Sequence, residues 1–368
     1  MDCVTLGVEE QFLVVDAETL ELVPRSNELL PEARVELGDE VTPELNLCQI
    51  EVGTPVCTSL DEVHGHLVRL RQGLATAGDR VGLGVTAMAS HPFSSWRHQQ
   101  VDLSNERYSR MDDTYQIVAR QQVICGCHVH VGIADPDLAV AVMNRVRPWM
   151  PALLALSGNS PYWQGFDTGF ASYRLQVWQR WPTSGMPPDL ADRQEYDELV
   201  GALEAVDAIE DSTFLYWYAR PSARYPTLEF RVCDVLLDVD ETVAIAGLIR
   251  SLAWTCAAQE EIGPPSDTPP QEVMEASTWR AARYGLSDSL VSPITNSAEP
   301  AAVVIGEFLD FVAEGLEFHG DTERVTSSVK RILERGNGAA RQRAAYERAH
   351  DLRDVVAAVL RETVPAVI

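Results

Sequence analysis

The first 80 residues show two apolar patterns in turn, one with a period of two and one with a period near 3.6. The segments TLGVEEQFLVVD (5–16) and LNLCQIEVGTPVC (45–57) alternate as half-buried strands do. The segment 59–82 has apolar residues at helical spacing, with Ser59 as its predicted N-cap. The same patterns predict helices at 112–123, 136–158 and 193–209, strands at 124–133 and two within 214–238, and a long aromatic loop at 159–185.

Strands and helices do not alternate regularly along the chain, which favours an α+β fold with a mainly antiparallel sheet over a doubly wound parallel sheet. We expect a single catalytic domain over residues 1–368. A Pro-rich loop at 261–272, EIGPPSDTPPQE, is predicted to lead into a mainly helical C-terminal part.

The charge of the chain excludes several classes of function. It carries 55 acidic and 29 basic residues, a formal net charge of −26, so we expect no nucleic-acid partner. The only lysine, Lys330, follows no glycine-rich loop, so a P-loop is absent. No apolar run approaches the roughly 18 residues of a membrane span, and the start of the chain is acidic. Seven sparse cysteines suggest reduced thiols. We therefore predict a cytoplasmic protein with no membrane partner.

The octet CGCHVHVG (125–132) brings two cysteines and two histidines together. Because side chains alternate along a strand, Cys125 and Cys127 point to one face and His128 and His130 to the other. A zinc site that used both pairs would break the pleat, so the cysteines are predicted to lie in the core. The histidine face is open to two interpretations: a metal or phosphate site, or one buried and one solvent-facing histidine.

Other predicted strands carry polar side chains on a single face. Glu9 and Gln11 share a face, as do Gln49 and Glu51, and Glu229 is paired in the same way with Arg231.

The pair Glu229 and Arg231 could equally be a surface ion pair. Glu44 has the wrong parity to join Glu51 unless the chain bends between them. Several strands with inward carboxylates, a histidine strand and an arginine are nevertheless the groups that hold Mg²⁺ and phosphate.

These residues lie in motifs that resemble the carboxylate-amine ligases of the glutamate-cysteine ligase type 2 group, more distant relatives of glutamine synthetase. The resemblance covers nearly the whole chain, in order, through TLGVEEQFLVVD, CQIEVGTPVC, HPFSSW, NERYSRM, CGCHVHVG, SPYWQGFDTGFASYR, YARPSARYPTLEFRV and WRAARYGL. It implies a glutamine synthetase-like catalytic fold, in which a curved antiparallel sheet, with helices on its outer face, forms a cavity for ATP and Mg²⁺.

The resemblance also implies an activity and site residues. The activity is an ATP-dependent ligation of a small carboxylic acid to an amine through an acyl phosphate, with release of ADP and phosphate. Arg231 is implied as the contact to the transferred phosphate, and His130 is a weak candidate for the general base. Independently of the resemblance, Arg174 and Arg220 are predicted to anchor substrate carboxylates because bidentate arginine suits that task, with a structural ion pair as the alternative for each. The residues implied as metal ligands are Glu9, Glu44, Glu51, His128 and Glu229, with Gln11 as a further oxygen donor.

Two positions depart from the family pattern. Gln11 stands where relatives usually have a second glutamate, and Tyr218 stands where they commonly have an acidic residue. A neutral amide removes one negative charge and should weaken one metal site. The alternative function is therefore a catalytically impaired relative that binds a nucleotide or an amino acid and acts as a partner protein. A homodimer is left open.

Overall fold

An antiparallel sheet forms the centre of the computed structural model, which describes residues 4–263 and 268–365. The strands within these residues are β1 (Leu6–Asp16), β2 (Val41–Pro43), β3 (Gln49–Gly53), β4 (Leu83–Thr86), β5 (Cys127–Gly132), β6 (Tyr162–Trp163), β7 (Phe166–Asp167), β8 (Ala219–Pro221), β9 (Thr227–Phe230), β10 (Ser289–Val291) and β11 (Ala298–Pro300). The main sheet has the order β2-β3-β1-β5-β9-β8, with β4 beside the second half of β1. Short hairpins β6-β7 and β10-β11 lie apart from it.

Helices surround this sheet, and two of them, α2 and α9, pack against one of its faces and against each other. The α-helices of the described residues are α1 (Ser26–Leu37), α2 (Leu60–Val81), α3 (Glu106–Tyr115), α4 (Ile117–Arg120), α5 (Pro136–Val146), α6 (Met150–Ser157), α7 (Tyr173–Trp178), α8 (Arg193–Ala205), α9 (Val239–Ile262), α10 (Gln271–Tyr284), α11 (Ala301–Phe311), α12 (Ala313–His319), α13 (Thr322–Arg335), α14 (Gly338–Ala349) and α15 (Leu352–Thr363). The predicted α+β class with an antiparallel sheet is confirmed.

The first half of β1 separates the core from a cavity. Leu6, Val8 and Glu10 are fully buried on the face that carries α2 and α9, whereas Glu9 and Gln11 are half-buried on the other face. This is the alternation that the sequence predicts. The cysteines of the octet are also buried, Cys127 at the start of β5 and Cys125 just before the strand, as predicted.

A buried ion pair ties the sheet to the helical layer. Arg71 of α2 donates both to Glu10 of β1 and to the backbone carbonyls of Leu236, Leu237 and Thr363. Neither charged side chain is exposed. The pair therefore joins β1, the segment before α9 and the end of α15 at one point, with both charges compensated.

Several predicted elements are confirmed, and others are divided by local backbone chemistry. Helix α2 begins after Ser59, whose hydroxyl accepts the N–H of Glu62. The predicted helix 112–123 is wrong as a single element, because Gln116 adopts a positive φ of 50° between α3 and α4. The predicted helix 136–158 is interrupted by a short 3-10 turn that contains Pro148.

The predicted Pro-rich loop at 261–272 is shorter than expected where the structure describes it. Residues 261–262 still belong to α9, and α10 begins at Gln271, while residues 264–267 lie outside the described part of the chain. From α10 onward the described chain is mainly helical, with the β10-β11 hairpin and short turns between the helices. None of the helices in the described residues has the length and apolar character needed to cross a membrane.

Candidate functional site

A cavity of about 1040 Å³ lies on the face of the sheet opposite α2 and α9. Strands β1, β3, β5 and β9 supply its floor, and loops on either side supply its walls. The site residues predicted from the sequence that line it are Glu9, Gln11, Glu44, Glu51, His128, His130, Arg174, Arg220, Glu229 and Arg231. The sheet therefore gathers polar residues that are up to about 220 positions apart in the sequence, a span set by Glu9 and Arg231.

Register between neighbouring strands brings the polar side chains into rows. Glu9 of β1 lies directly opposite His128 of β5, and His130 lies directly opposite Glu229 of β9. Directly opposed residues point to the same face of an antiparallel sheet. Glu9, His128 and Glu229 each offer a ligand atom within 4.8 Å of the others, so this triangle is a candidate cation centre. Carboxylates suit Mg²⁺ or Mn²⁺, and the imidazole can complete such a set.

Burial and neighbouring charges give the two histidines opposite character. Burial, together with the charge of Arg231, lowers the pKa of His128 to about 4, so its ring is neutral and able to act as a ligand. Burial also opposes the charged form of His130, but the hydrogen bond to Glu9 and the charges of Glu229 and Glu9 outweigh it and raise the pKa. The carboxyl of Glu9 is desolvated by burial, yet His128 and His130 hold its pKa well below the usual range.

Glu229 is held between two arginines. Its oxygens accept from Arg220 Nε at 2.9 Å and from Arg231 Nη1. Burial would raise the pKa of this carboxyl, but the charges of Arg231 and Arg220 lower it well below its ordinary value. The predicted pairing of Glu229 with Arg231 on one face is therefore present, and it lies on the cavity floor rather than on the outer surface.

Several buried polar atoms of cavity-lining residues have no hydrogen-bond partner among the described residues, among them Arg231 Nε and the Tyr216 hydroxyl. His130 Nε2 lies 3.4 Å from Glu9 Oε1. The other ring nitrogen of His130, Nδ1, lies 2.9 Å from the hydroxyl of Thr227, which fixes the ring. Buried donors and acceptors in native structures normally have partners. A polar ligand bound in the cavity could supply the missing hydrogen-bond partners.

Gln11, Glu44 and Glu51 meet at one corner of the cavity. The turn after β2 brings Glu44 to the other two, which is the bend that its strand parity requires. The Gln11 amide nitrogen donates to both carboxylates, and the amide oxygen accepts from the backbone of Gly126. Burial and the charges of Glu9 and Glu44 raise the pKa of Glu51 well above its ordinary value. In this arrangement Gln11 offers no free oxygen to a cation.

The two arginines assigned to substrate carboxylates have protein partners. Arg174 forms a buried ion pair with Asp234, with Nη1 3.7 Å from Oδ1, and donates to the backbone carbonyls of Val232 and Arg231. Its guanidinium carbon lies 4.7 Å from the ring centroid of Trp178. Arg220 donates to Glu229 and to the carbonyls of Thr213 and Leu215. These are the structural pairings that the sequence leaves as the alternative, and a role in substrate binding stays a prediction.

Sequence reasoning missed two cavity residues, Arg107 and Tyr216. Arg107 lies at the start of α3 with its guanidinium 4.1 Å above the ring of Phe214, and it forms no ion pair with any carboxylate of the described residues. The Tyr216 ring stacks on Trp181 with centroids 4.7 Å apart. The motif NERYSRM contains Arg107, and its lack of an acidic partner at i±4 was the available signal.

Tyr218, the second departure from the family pattern, is buried beside the cavity wall. Its hydroxyl accepts from Gln179 at 2.7 Å, and its ring packs against Trp178. Tyr218 thus contributes to the layer behind Arg174.

A family model, glutamate-cysteine ligase family 2, matches residues 5–358. A relative from Saccharopolyspora erythraea, named as a candidate glutamate–cysteine ligase 2-1, is 40% identical over 98% of this chain and 95% of its own. A relative from Rhodopirellula baltica with a similar name is 37% identical over 99% of this chain and 98% of its own. A relative from Frankia casuarinae is 42% identical, and there the chain spans only 41% of the relative's length. A second Frankia relative, from Frankia alni, is covered over 42% of its length.

Solved structures share the fold. A glutamate–cysteine ligase from Francisella tularensis, crystallised with AMP, superposes with a TM-score of 0.72 at 13% identity, over 100% of this chain and 90% of that one. A bifunctional glutathione synthetase from Pasteurella multocida gives a TM-score of 0.70 at 16% identity, over 98% of this chain and 52% of that one. The resemblance stated from the motifs is confirmed, and so is the expected fold.

Proposed function

The chain belongs to glutamate-cysteine ligase family 2, and from this premise we propose that it is an ATP-dependent ligase that joins a carboxylic acid to an amine. The observation that carries the proposal is the triangle of Glu9, His128 and Glu229 beside the unpartnered Nε of Arg231. Cation ligands and a phosphate-binding guanidinium on one cavity floor suit phosphoryl transfer.

In the first proposed step, an oxygen of the substrate carboxylate attacks the γ-phosphorus of ATP, and ADP leaves. A bound Mg²⁺ would neutralise charge on the phosphate oxygens. Arg231 is positioned by Glu229, and its free Nε would donate to the phosphoryl group as negative charge moves across it. The low pKa of Glu9 and the neutral ring of His128 keep both groups ready as ligands at neutral pH.

In the second proposed step, the amine nitrogen attacks the acyl carbon, the C–O bond to phosphate breaks, and an amide forms. The amine must lose a proton, and His130 is the candidate acceptor because its ring lines the cavity and Nε2 has only the Glu9 carboxylate beside it, 3.4 Å away. The hydrogen bond to Thr227 holds the ring in place. The carboxylates of Glu9 and Glu229 beside the ring would stabilise the imidazolium that forms when His130 takes the proton.

We assign the anchoring of a further substrate carboxylate to Arg107 and Tyr216 rather than to Arg174 and Arg220. The guanidinium of Arg107 is free of carboxylate partners in the described chain, and the Tyr216 hydroxyl is a buried donor without an acceptor. A carboxylate between them would satisfy both groups. An acid with a second carboxylate, such as a glutamate-like amino acid, fits this assignment.

Phosphate release tests the proposal directly. The chain is incubated with ATP, Mg²⁺ and a matrix of amino acids and amines, and both ADP and the amide are measured. We expect phosphate and ADP to be released only when an acid and an amine are both present, in amounts equal to the amide formed. If a broad set of acids and amines yields neither amide nor ADP, the proposal is wrong.

The corner of Gln11, Glu44 and Glu51 favours a second candidate, an impaired relative that binds nucleotide or amino acid as a partner protein. There a neutral amide stands among carboxylates and has no free oxygen. Gln11→Glu distinguishes the two candidates. A large rise in ligase rate would identify an impaired enzyme, and no change or a loss would identify a specialised one.

A further inference from the structure

The amide of Gln11 closes the corner between β1, β3 and the turn after β2. Its nitrogen donates to Glu44 Oε1 at 2.6 Å and to Glu51 Oε2 at 3.2 Å. Its oxygen accepts from the backbone N–H of Gly126 at 2.8 Å. A primary amide has two N–H donors, and here each donor has a carboxylate of its own. The amide thus links the two carboxylates without an ion between them.

The backbone of Gly126 fixes the direction of this amide. The main-chain N–H of Gln11 donates to the carbonyl of Gly126 at 3.1 Å, so both backbone polar groups of the glycine pair with Gln11. The guanidinium of Arg174 fills the space where a side chain on Gly126 would lie, which holds the glycine in place from behind. Turning the amide over would set NH₂ against the N–H of Gly126 and the amide oxygen against two carboxylates.

We propose that Gln11 is a built-in substitute for a divalent cation, whose NH₂ group fills the position where Glu44 and Glu51 would otherwise hold Mg²⁺ or Mn²⁺. This corner of the cavity then stays free of metal. The inference depends on the proposed function in one respect only: it takes Glu9, His128 and Glu229 as a separate cation centre.

The residue at position 11 thereby sets the number of cations that the cavity binds. A glutamate there could still accept from Gly126 with one oxygen. Its other oxygen would face Glu44 and Glu51 with no donor between them. Three converging carboxylates form the oxygen-rich arrangement that binds hard cations.

Counting bound Mn²⁺ tests this inference without any turnover. Mn²⁺ alone is titrated into the full chain, and the free ion is measured by electron paramagnetic resonance. We expect Gln11→Glu to bind one more ion per chain than the native protein, and we expect Glu51→Gln, added to that variant, to remove the gained ion. Equal counts for the native protein and Gln11→Glu would overturn the inference.

Glu51→Gln in the native background gives a second test, which holds even if Gln11→Glu does not fold. We expect an unchanged Mn²⁺ count, because Glu51 binds an amide there rather than an ion. The loss of one ion in this variant would overturn the inference.

Glu9→Gln separates this result from the proposed function. Loss of an ion in that variant reports on the centre at Glu9, His128 and Glu229, and retention of all ions would count against that centre. The Mn²⁺ ion gained in Gln11→Glu is measured against the native protein, and both chains keep Glu9. The inference about Gln11 therefore stands or falls independently of the ligase activity.

Discussion

Glu9 and Glu10 are neighbours on β1, and they show what the two faces of one strand can do with a carboxylate. Glu10 is fully buried and accepts from Arg71 and from the hydroxyl of Thr242, so each of its oxygens has a donor. Glu9 faces the cavity, where its nearest charged or titratable neighbours are the two histidines. We call the face of β1 that carries α2 and α9 the closed face, because protein groups satisfy its carboxylate. The face that lines the cavity is the open face, because it can still bind a ligand.

Charge and burial therefore do not by themselves identify a functional carboxylate. Nearby polar atoms that lack hydrogen-bond partners are the better indicator. The closed face of β1 uses an ion pair to join helices to the sheet. The open face places polar atoms without partners, such as Arg231 Nε and the Tyr216 hydroxyl, around the same cavity. Substitutions on the closed face should therefore change stability, and those on the open face should change chemistry.

The largest expected effect is on the closed face. Glu10→Ala leaves the charge of Arg71 buried without a counter-ion, so we expect a loss of about 3–5 kcal/mol in the free energy of unfolding. Urea unfolding followed by tryptophan fluorescence measures it. Glu28→Gln, which removes an exposed ion pair with Arg25, is the control and should cost less than about 1 kcal/mol. Equal losses in the two variants would contradict the comparison.

On the open face, Arg231→Gln should act on the reaction. We expect phosphate release to fall about 10²–10³-fold, because one donor to the developing charge is lost. The loss of stability should be small, since Glu229 keeps its bond to Arg220. The measurement is the initial rate at saturating ATP, beside the unfolding curve. Arg110→Gln, an exposed arginine outside the cavity, is the control. A rate within tenfold of the native one would argue against the role of Arg231.

Strand parity was enough to predict which residues share the open face. The period of two is a local property, so the sequence places Glu9 with Gln11 and His128 with His130. The bend that brings Glu44 to Glu51 could also be stated as a requirement. These residues depend only on short stretches of chain and on the pairing of neighbouring strands.

The partners of the long basic side chains could not be predicted in this way. Arg71 meets Glu10 across 61 positions. Most hydrogen bonds of the Arg174 and Arg220 guanidinium groups go to backbone carbonyls, which leave no mark in a sequence. The direction of the Gln11 amide likewise depends on one backbone N–H just before β5. Such contacts are set by tertiary packing, and only the structure reveals them.

A smaller effect on the closed side depends on pH. Burial and the charge of Asp238 raise the pKa of Glu241 on α9 to about 7, although Arg341 opposes the shift. The folded state therefore holds a proton that the unfolded chain, with a pKa of 4.5, releases. This contribution to stability is complete below about pH 4.5 and is lost as the pH rises through 7.

Relative to Glu241→Gln, the native chain should lose about 2–3 kcal/mol of unfolding free energy between pH 5 and pH 8. Arg341 keeps Glu362 as a partner in the variant, 2.6 Å away, so its own charge stays compensated. Urea midpoints at several pH values measure the difference. Parallel curves for the two chains would show that Glu241 titrates normally.

The smallest expected effect lies on the open face, at Arg107. Because this guanidinium has no carboxylate partner in the described chain, Arg107→Gln should cost little stability. Loss of one charged contact to the acid should raise its KM about tenfold, equivalent to about 1.4 kcal/mol, with kcat nearly unchanged. Steady-state kinetics with varied acid and fixed ATP measure both constants, and Arg107→Lys should recover part of the affinity. A fall in kcat at constant KM would contradict this role and would place Arg107 at the reacting phosphate instead. The groups that act on the phosphate would then include a residue of α3 as well as those on the sheet.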